Sequence, residues 1–207
     1  HNVYLLYIFL ILSKIFLILI SKDKITPNRA STIKTILDDW YTDNLSNYSD
    51  IIKTGVYCED FTYQTLTSSG SGYTTYYFGS YIRNGPDSSG YTPEFNCPSE
   101  YIHNYNIGLI SGDEVTFAGG LFGSDNYDYY LYNPNITDYW WTISPSYYDT
   151  TLTTVGNLII NGLTGHFHDW QNGSTIANTN SIRPVITLDT DRLTGGSGIL
   201  GDEYTYS

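Results

Sequence analysis

Basic residues are scarce in this chain. Lys and Arg number 9 against 21 Asp and Glu, a formal net charge of -12, and so acidic a surface repels phosphate backbones and anionic headgroups instead of gathering them. Nucleic acid and anionic membrane faces are therefore poor partners. Charged residues of both signs make up only 14% of the 207 residues, so solubility has to come from Tyr, Asn, Ser, Thr and Gly. Methionine is absent and residue 1 is His, from which a fragment or a processed product is expected. Cysteine occurs only at Cys58 and Cys97, with no CxxC pair, which argues against a thiolate zinc site. The chain also lacks a G-x-S-x-G elbow, a P-loop, an H-E-x-x-H helix and a dinucleotide fingerprint, so no catalytic residue is assigned. No internal repeat is visible.

What is present in quantity is aromatic: 16% of residues, with Tyr at 22. Tyrosine combines a large rigid contact area with a polar tip, which suits exported ligand-binding surfaces; AT-rich coding produces the same bias without selection for binding. Val3 to Ile20 is apolar apart from Ser13 and Lys14, so residues 1–24 are read as an apolar leader or membrane anchor, or as a fragment artefact, and 25–207 as a single domain. The lone pair of cysteines is expected to be a disulfide in an exported chain, the alternative being two buried free thiols.

The apolar spacing of Ile33, Ile36, Leu37, Trp40, Tyr41 and Leu45 predicts a helix over 31–45 with Ser31 as N-cap. Ser111-Gly112-Asp113-Glu114 fits the capping-box pattern, predicting a short helix from Gly112 that stops at Gly119-Gly120. Short strands are expected at 76–82, 129–132, 139–144, 153–155, 158–160, 165–170 and 184–188, with a tight turn at Gly156-Asn157 and long loops around 65–96. Few helices, many short strands and much irregular backbone make the class α+β.

Two groups of side chains suggest cation chemistry. His166 and His168 fall on one face of a strand because side chains alternate with period two, and Asp169 and His103 extend the set toward a zinc or copper site. Asp125, Asp128, Asp189 and Asp191 offer hard oxygen ligands, but no EF-hand spacing. Neither group completes a metal motif, so no metal or other cofactor is assigned, and His166 and His168 are kept as ligand-contact candidates.

Taken as an ordered series, several blocks carry a family resemblance. They are Ile36 to Tyr41, Val56 to Asp60 around Cys58, Phe95 to Pro98 around Cys97, Gly108 to Glu114, Tyr139 to Tyr147, Ile182 to Leu188 and the Gly195-Gly196-Ser197-Gly198 run. The series resembles an extracellular domain of surface proteins from low-GC Gram-positive bacteria, distantly similar to the C-type-lectin-like fold of formylglycine-generating-enzyme relatives. The resemblance implies few helices around a twisted antiparallel sheet with long loops, an extracellular or cell-surface location, membrane-anchored or secreted, and recognition of a glycan or protein. It points to loops in the C-terminal half, with Tyr147, Tyr148 and Asp149 in one and Trp170 and Asn172 in another as ligand contacts. Arg183 is expected to pair with a carboxylate inside the fold, and Trp140 and Trp141 to belong to the core. The formylglycine-type enzyme and a structural module of a surface or pilin-like protein are the other two readings. The enzyme's cysteine spacing and Arg-Gly-Gly-Ser-Trp block are absent from this chain.

Overall fold

The computed structural model describes residues 5–6, 32–67, 74–86, 91–149, 154–169, 180–197, 202 and 205–206. In chain order the elements are β1 (Leu5–Leu6), α1 (Thr32–Asn44), β2 (Ile52–Lys53), β3 (Gly55–Cys58), β4 (Tyr63–Thr67), β5 (Thr74–Phe78) and α2 (Gly79–Asn84), followed by β6 (Ile102–Tyr105), β7 (Gly108–Leu109) and α3 (Gly112–Phe117). Then come β8 (Tyr139–Asp149), β9 (Thr154–Asn161), β10 (Phe167–Asp169), β11 (Pro184–Leu188), β12 (Leu193–Gly195) and β13 (Thr205–Tyr206). The architecture is α+β with short helices and antiparallel pairing between the named strands.

A five-stranded sheet in the order β10-β9-β8-β5-β4 is the backbone of the domain. In a second sheet β11 pairs with β1, β2 and β7, while β3 with β6 and β12 with β13 form two separate two-stranded sheets. Alternation along β9 explains why both faces of the large sheet are covered at one end. Leu158 and Ile160 point into one apolar cluster with Trp140, Phe167, Val115 and Leu131. Ile159, between them, points the other way into a second cluster with Trp141, Ile186 and the α1 residues Leu37 and Tyr41. Each such fully buried side chain contributes roughly 1.5 to 3 kcal/mol relative to exposure. Both tryptophans are core residues, Trp140 being 2% and Trp141 7% exposed.

The helices follow local rules. Leu37 and Tyr41 form the buried face of α1, and Leu45, just past its end, continues the same fourfold spacing. At α3 the Ser111 hydroxyl accepts from Glu114 N at 3.2 Å while the Glu114 carboxylate accepts from Ser111 N at 2.7 Å, the reciprocal capping box that the sequence predicts. The Cys58–Cys97 disulfide is formed, with Cα atoms 5.8 Å apart, and ties the end of β3 to the segment before the Ser99–Tyr101 turn.

Several strand expectations need correction. The residues expected to make a tight turn at Gly156-Asn157 run straight through β9. Glycine is required there for a different reason, since a Cβ on Gly156 would lie 2.2 Å from Tyr147 Cε1 and 2.4 Å from Ser146 Oγ. Strand β8 crowds it because its register against β9 shifts on both sides of Pro145, and Ile143 N turns to Ile110 O at 2.8 Å. Such an irregularity is where a strand tolerates proline. Tyr129 to Tyr132 is a turn and not a strand: Tyr132 N donates to Tyr129 O at 3.0 Å, and the alternating exposure of Tyr129, Tyr130 and Leu131 imitates a strand period. The extended stretch expected over 76–82 ends at Phe78, where α2 begins. Of the apolar run at 3–20, only Leu5–Leu6 is described, paired with Ile186 and Thr187 of β11. Among the described residues no helix is long and apolar enough to cross a membrane.

Candidate functional site

Strands β4, β5 and β8 of the five-stranded sheet carry a row of tyrosines. Register sets Tyr76 of β5 opposite Tyr148 of β8, and Tyr76 also opposite Thr65, two residues from Tyr63 on β4. Because side chains alternate across a strand, Tyr63, Tyr76 and Tyr148 share one face. Their rings form a chain of contacts, with centroids 5.2 Å apart for Tyr63 and Tyr76 and 6.1 Å apart for Tyr76 and Tyr148. Tyr63 is 60% exposed. This is the same face that α1 covers farther along, since Tyr148 is paired with Val155, which lies on the Ile159 side of β9.

The anticipated contact residues distribute unevenly about this row. Tyr148 is part of it. Tyr147 points to the opposite, core-side face, buried with its ring 6.5 Å from Tyr77. Asp149 shares that face and accepts a long hydrogen bond from Thr75 Oγ1 at 3.5 Å. His166 and His168 do adjoin each other, ring centroids 4.9 Å apart, but at the far edge of the sheet. His168 pairs with Ile159, four positions along β9 from Val155 (159 − 155 = 4), so it stands about 13 Å down the strand from the Tyr148 position. Trp170 and Asn172 lie outside the described residues. The histidines and the tyrosine row therefore do not make one site.

Each histidine has local partners. His166 Nδ1 lies 3.3 Å from Asp125, and His168 Nδ1 is 2.9 Å from the Asp169 carbonyl with its ring edge-on to Tyr139. Burial lowers the pKa of His168; the adjacent His166 adds to that, and the Asp169 carbonyl opposes it. His103 sits elsewhere, 3.5 Å from Glu59 and stacked on Tyr105. Asp189 accepts from Asp191 N and pairs with Lys53 at 3.1 Å. Among the described residues no three His, Cys, Asp or Glu side chains converge as a metal site. Arg183 donates to Leu131 O at 2.9 Å and lies 4.4 Å above the Trp140 ring, a role in joining the core to its covering turn.

A second constellation has no motif in the sequence. Arg83 of α2 grips Asp113 with two parallel hydrogen bonds, Nε at 2.9 Å and Nη2 at 2.7 Å, and its Nη1 reaches Asp60 at 2.8 Å. Asn84 Nδ2 and Glu94 N complete the shell of Asp113 at 3.0 and 3.1 Å. Burial opposes ionisation of Asp113, but the hydrogen bonds and charge of Arg83 outweigh it and hold its carboxyl below the usual carboxylate range. Gly79 leaves room for this arrangement, since a Cβ there would stand 2.0 Å from Asp60 Oδ2. The five residues are scattered over 60–113 in sequence, and the local signal is that Arg83 is one of few basic residues.

Beside this cluster lies a cavity of about 100 Å³, walled by Tyr57, Phe95, Leu109 and Ile143, by the disulfide, and by Asp60, Glu94, Asp113 and Glu114. Burial raises the pKa of Glu114, against the pull of its bonds to Ser111. Tyr57 donates to Val185 O at 2.8 Å, and burial first, with the Glu114 charge second, raises its pKa as well. No protein-family model, curated protein or solved structure matches the chain.

Proposed function

We propose that this chain is a non-catalytic recognition domain of the C-type-lectin-like kind, displayed outside a bacterial cell, that binds a glycan. The observation that carries the reading is the row Tyr63, Tyr76 and Tyr148 on one face of the large sheet, with Tyr63 exposed. Successive phenol rings give sugar rings apolar faces to stack on and hydroxyls to bond, at small entropy cost. Rigid strands hold the row, and Tyr148 is one of the residues to which the family resemblance assigns ligand contact. The net charge of -12 favours neutral glycans over sulfated or uronic ones. The disulfide agrees with an oxidising, extracellular setting, and few helices around antiparallel sheets agree with the lectin-like fold.

The test is binding of the chain to an array of neutral and acidic glycans, repeated with Tyr148→Ala and Tyr63→Ala. An aromatic anchor contributes about 2 kcal/mol, so Tyr148→Ala should weaken a neutral-glycan signal roughly 30-fold while circular dichroism is unchanged. Silence of the parent chain on every glycan, or undiminished binding by both variants, would overturn the proposal.

A further inference from the structure

The cavity beside the disulfide is unrelated to the tyrosine row, and its chemistry is specific. Its carboxylates alone would not make a site, because Asp60 and Asp113 are already paired with Arg83. Glu114 differs. Both of its hydrogen bonds, from Ser111 N at 2.7 Å and Ser111 Oγ at 2.9 Å, fall on Oε2. Among the described residues nothing donates to Oε1, and Glu114 lines the cavity. Counting Glu94, the cavity wall holds four carboxylates, and a single guanidinium, Arg83, sits against three of them. Negative charge is left over.

Aromatic surface continues from the same wall. Phe95 lines the cavity and stands edge-to-face with Phe117 of α3, ring centroids 5.1 Å apart. Both are far out in solvent, Phe95 at 59% and Phe117 at 72% exposed. Isolated exposed apolar residues need no explanation, but an interlocked pair beside an acidic cavity suits an alkyl stem that ends in a cation. A volume of about 100 Å³ holds several waters or the end of one unbranched side chain.

We infer that this cavity receives the ε-ammonium of a lysine on a protein partner, with Glu114 Oε1 accepting its hydrogen bond and Phe95 and Phe117 flanking its methylene stem. Lysine suits the site because its charge is compact and sits on a flexible four-carbon stem; the planar guanidinium of arginine needs a bidentate acceptor, and Glu114 offers one free oxygen. This inference does not depend on glycan binding at the tyrosine row.

The experiment is a titration of the full chain, followed by two-dimensional NMR at about pH 8, where a lysine ammonium is still charged. The probe is Nα-acetyl-lysine methylamide; Nα-acetyl-norleucine methylamide, of the same shape without charge, and the arginine analogue are controls. The lysine probe should shift resonances of Phe95, Phe117 and Glu114, and the norleucine probe should not. Glu114→Gln should weaken the lysine probe about 10-fold or more, as expected for loss of a charge-assisted hydrogen bond. Glutamine at this position keeps the capping box, and unchanged urea unfolding of the variant confirms that the helix persists. Phe95→Ala, at an exposed position, should weaken the probe without loss of stability. Absence of shifts at these residues, equal binding of the norleucine probe, or undiminished binding by Glu114→Gln each refutes the inference. An arginine probe that binds more tightly than the lysine probe refutes the choice of lysine.

Discussion

Replacing Arg83 with methionine keeps the length of the side chain and removes its charge. In the native protein the guanidinium makes three short contacts to two carboxylates, 2.9 and 2.7 Å to Asp113 and 2.8 Å to Asp60. Both acid side chains are 6% exposed, so neither recovers its hydration when the cation is lost. Breaking a buried pair by deleting one partner costs about 3 to 5 kcal/mol. Here Asp60 keeps its bonds from Thr62 and Asp113 keeps Asn84 and Glu94 N, which places the expected loss near the middle, about 4 kcal/mol. For a chain of this length that is a fall in Tm of about 8 to 16 °C. The pH dependence has a definite sign. Arg83 holds Asp113 below its unfolded value of about 3.9, so this contribution is complete at pH 5 and at pH 7 and is lost only as pH falls through the folded pKa. In Arg83→Met the unpaired buried carboxylates take up protons more readily, and the variant recovers stability between about pH 7 and pH 5. Urea unfolding of both proteins at the two pH values measures the difference directly. A loss below about 1 kcal/mol, or one equal at both pH values, would show that the cluster does not hold the domain together in the way its geometry implies.

Gly156→Ala should destabilise by about 1 to 3 kcal/mol, because its Cβ has to displace Tyr147 and Ser146; an unchanged urea midpoint would show that this close approach does not require glycine. Cys58→Ala with Cys97→Ala opens a loop of 39 residues and should cost about 4 kcal/mol in the chain-entropy account, with reductant reproducing the loss in the parent chain alone. His168 has its pKa lowered by burial and by His166, so the unfolded chain binds its proton more readily, and stability falls as pH drops below about 6.5. His168→Gln should flatten that slope, which urea midpoints between about pH 7.5 and 5.5 would detect; an identical slope in the variant would assign the titration elsewhere.

Elements that depend only on neighbours along the chain were legible. The fourfold spacing of Leu37, Tyr41 and Leu45 identifies α1, and Ser111 with Glu114 identifies the start of α3, because helix hydrogen bonds and caps close within four residues. The range 184–188 matches β11, and the burial of Trp140 and Trp141 was anticipated. The disulfide was anticipated too, since two cysteines allow a single pairing. Three-dimensional proximity decided the rest. Gly156 looks like a turn glycine until the shifted register of β8 brings Tyr147 against it. Tyr148 belongs to a surface row and Tyr147 to the buried face because irregular pairing at Pro145 sets which way each ring points, and the partners Tyr63 and Tyr76 come from strands more than 70 positions earlier in the chain. Asp60, Arg83 and Asp113 carry no shared local pattern, since an ion pair depends on distance in space and not on sequence separation. Composition and local spacing determined the class, helices α1 and α3 and the crosslink of this protein; strand register and the burial of charge, which only the folded chain possesses, decided where the tyrosine row and the acidic cavity lie.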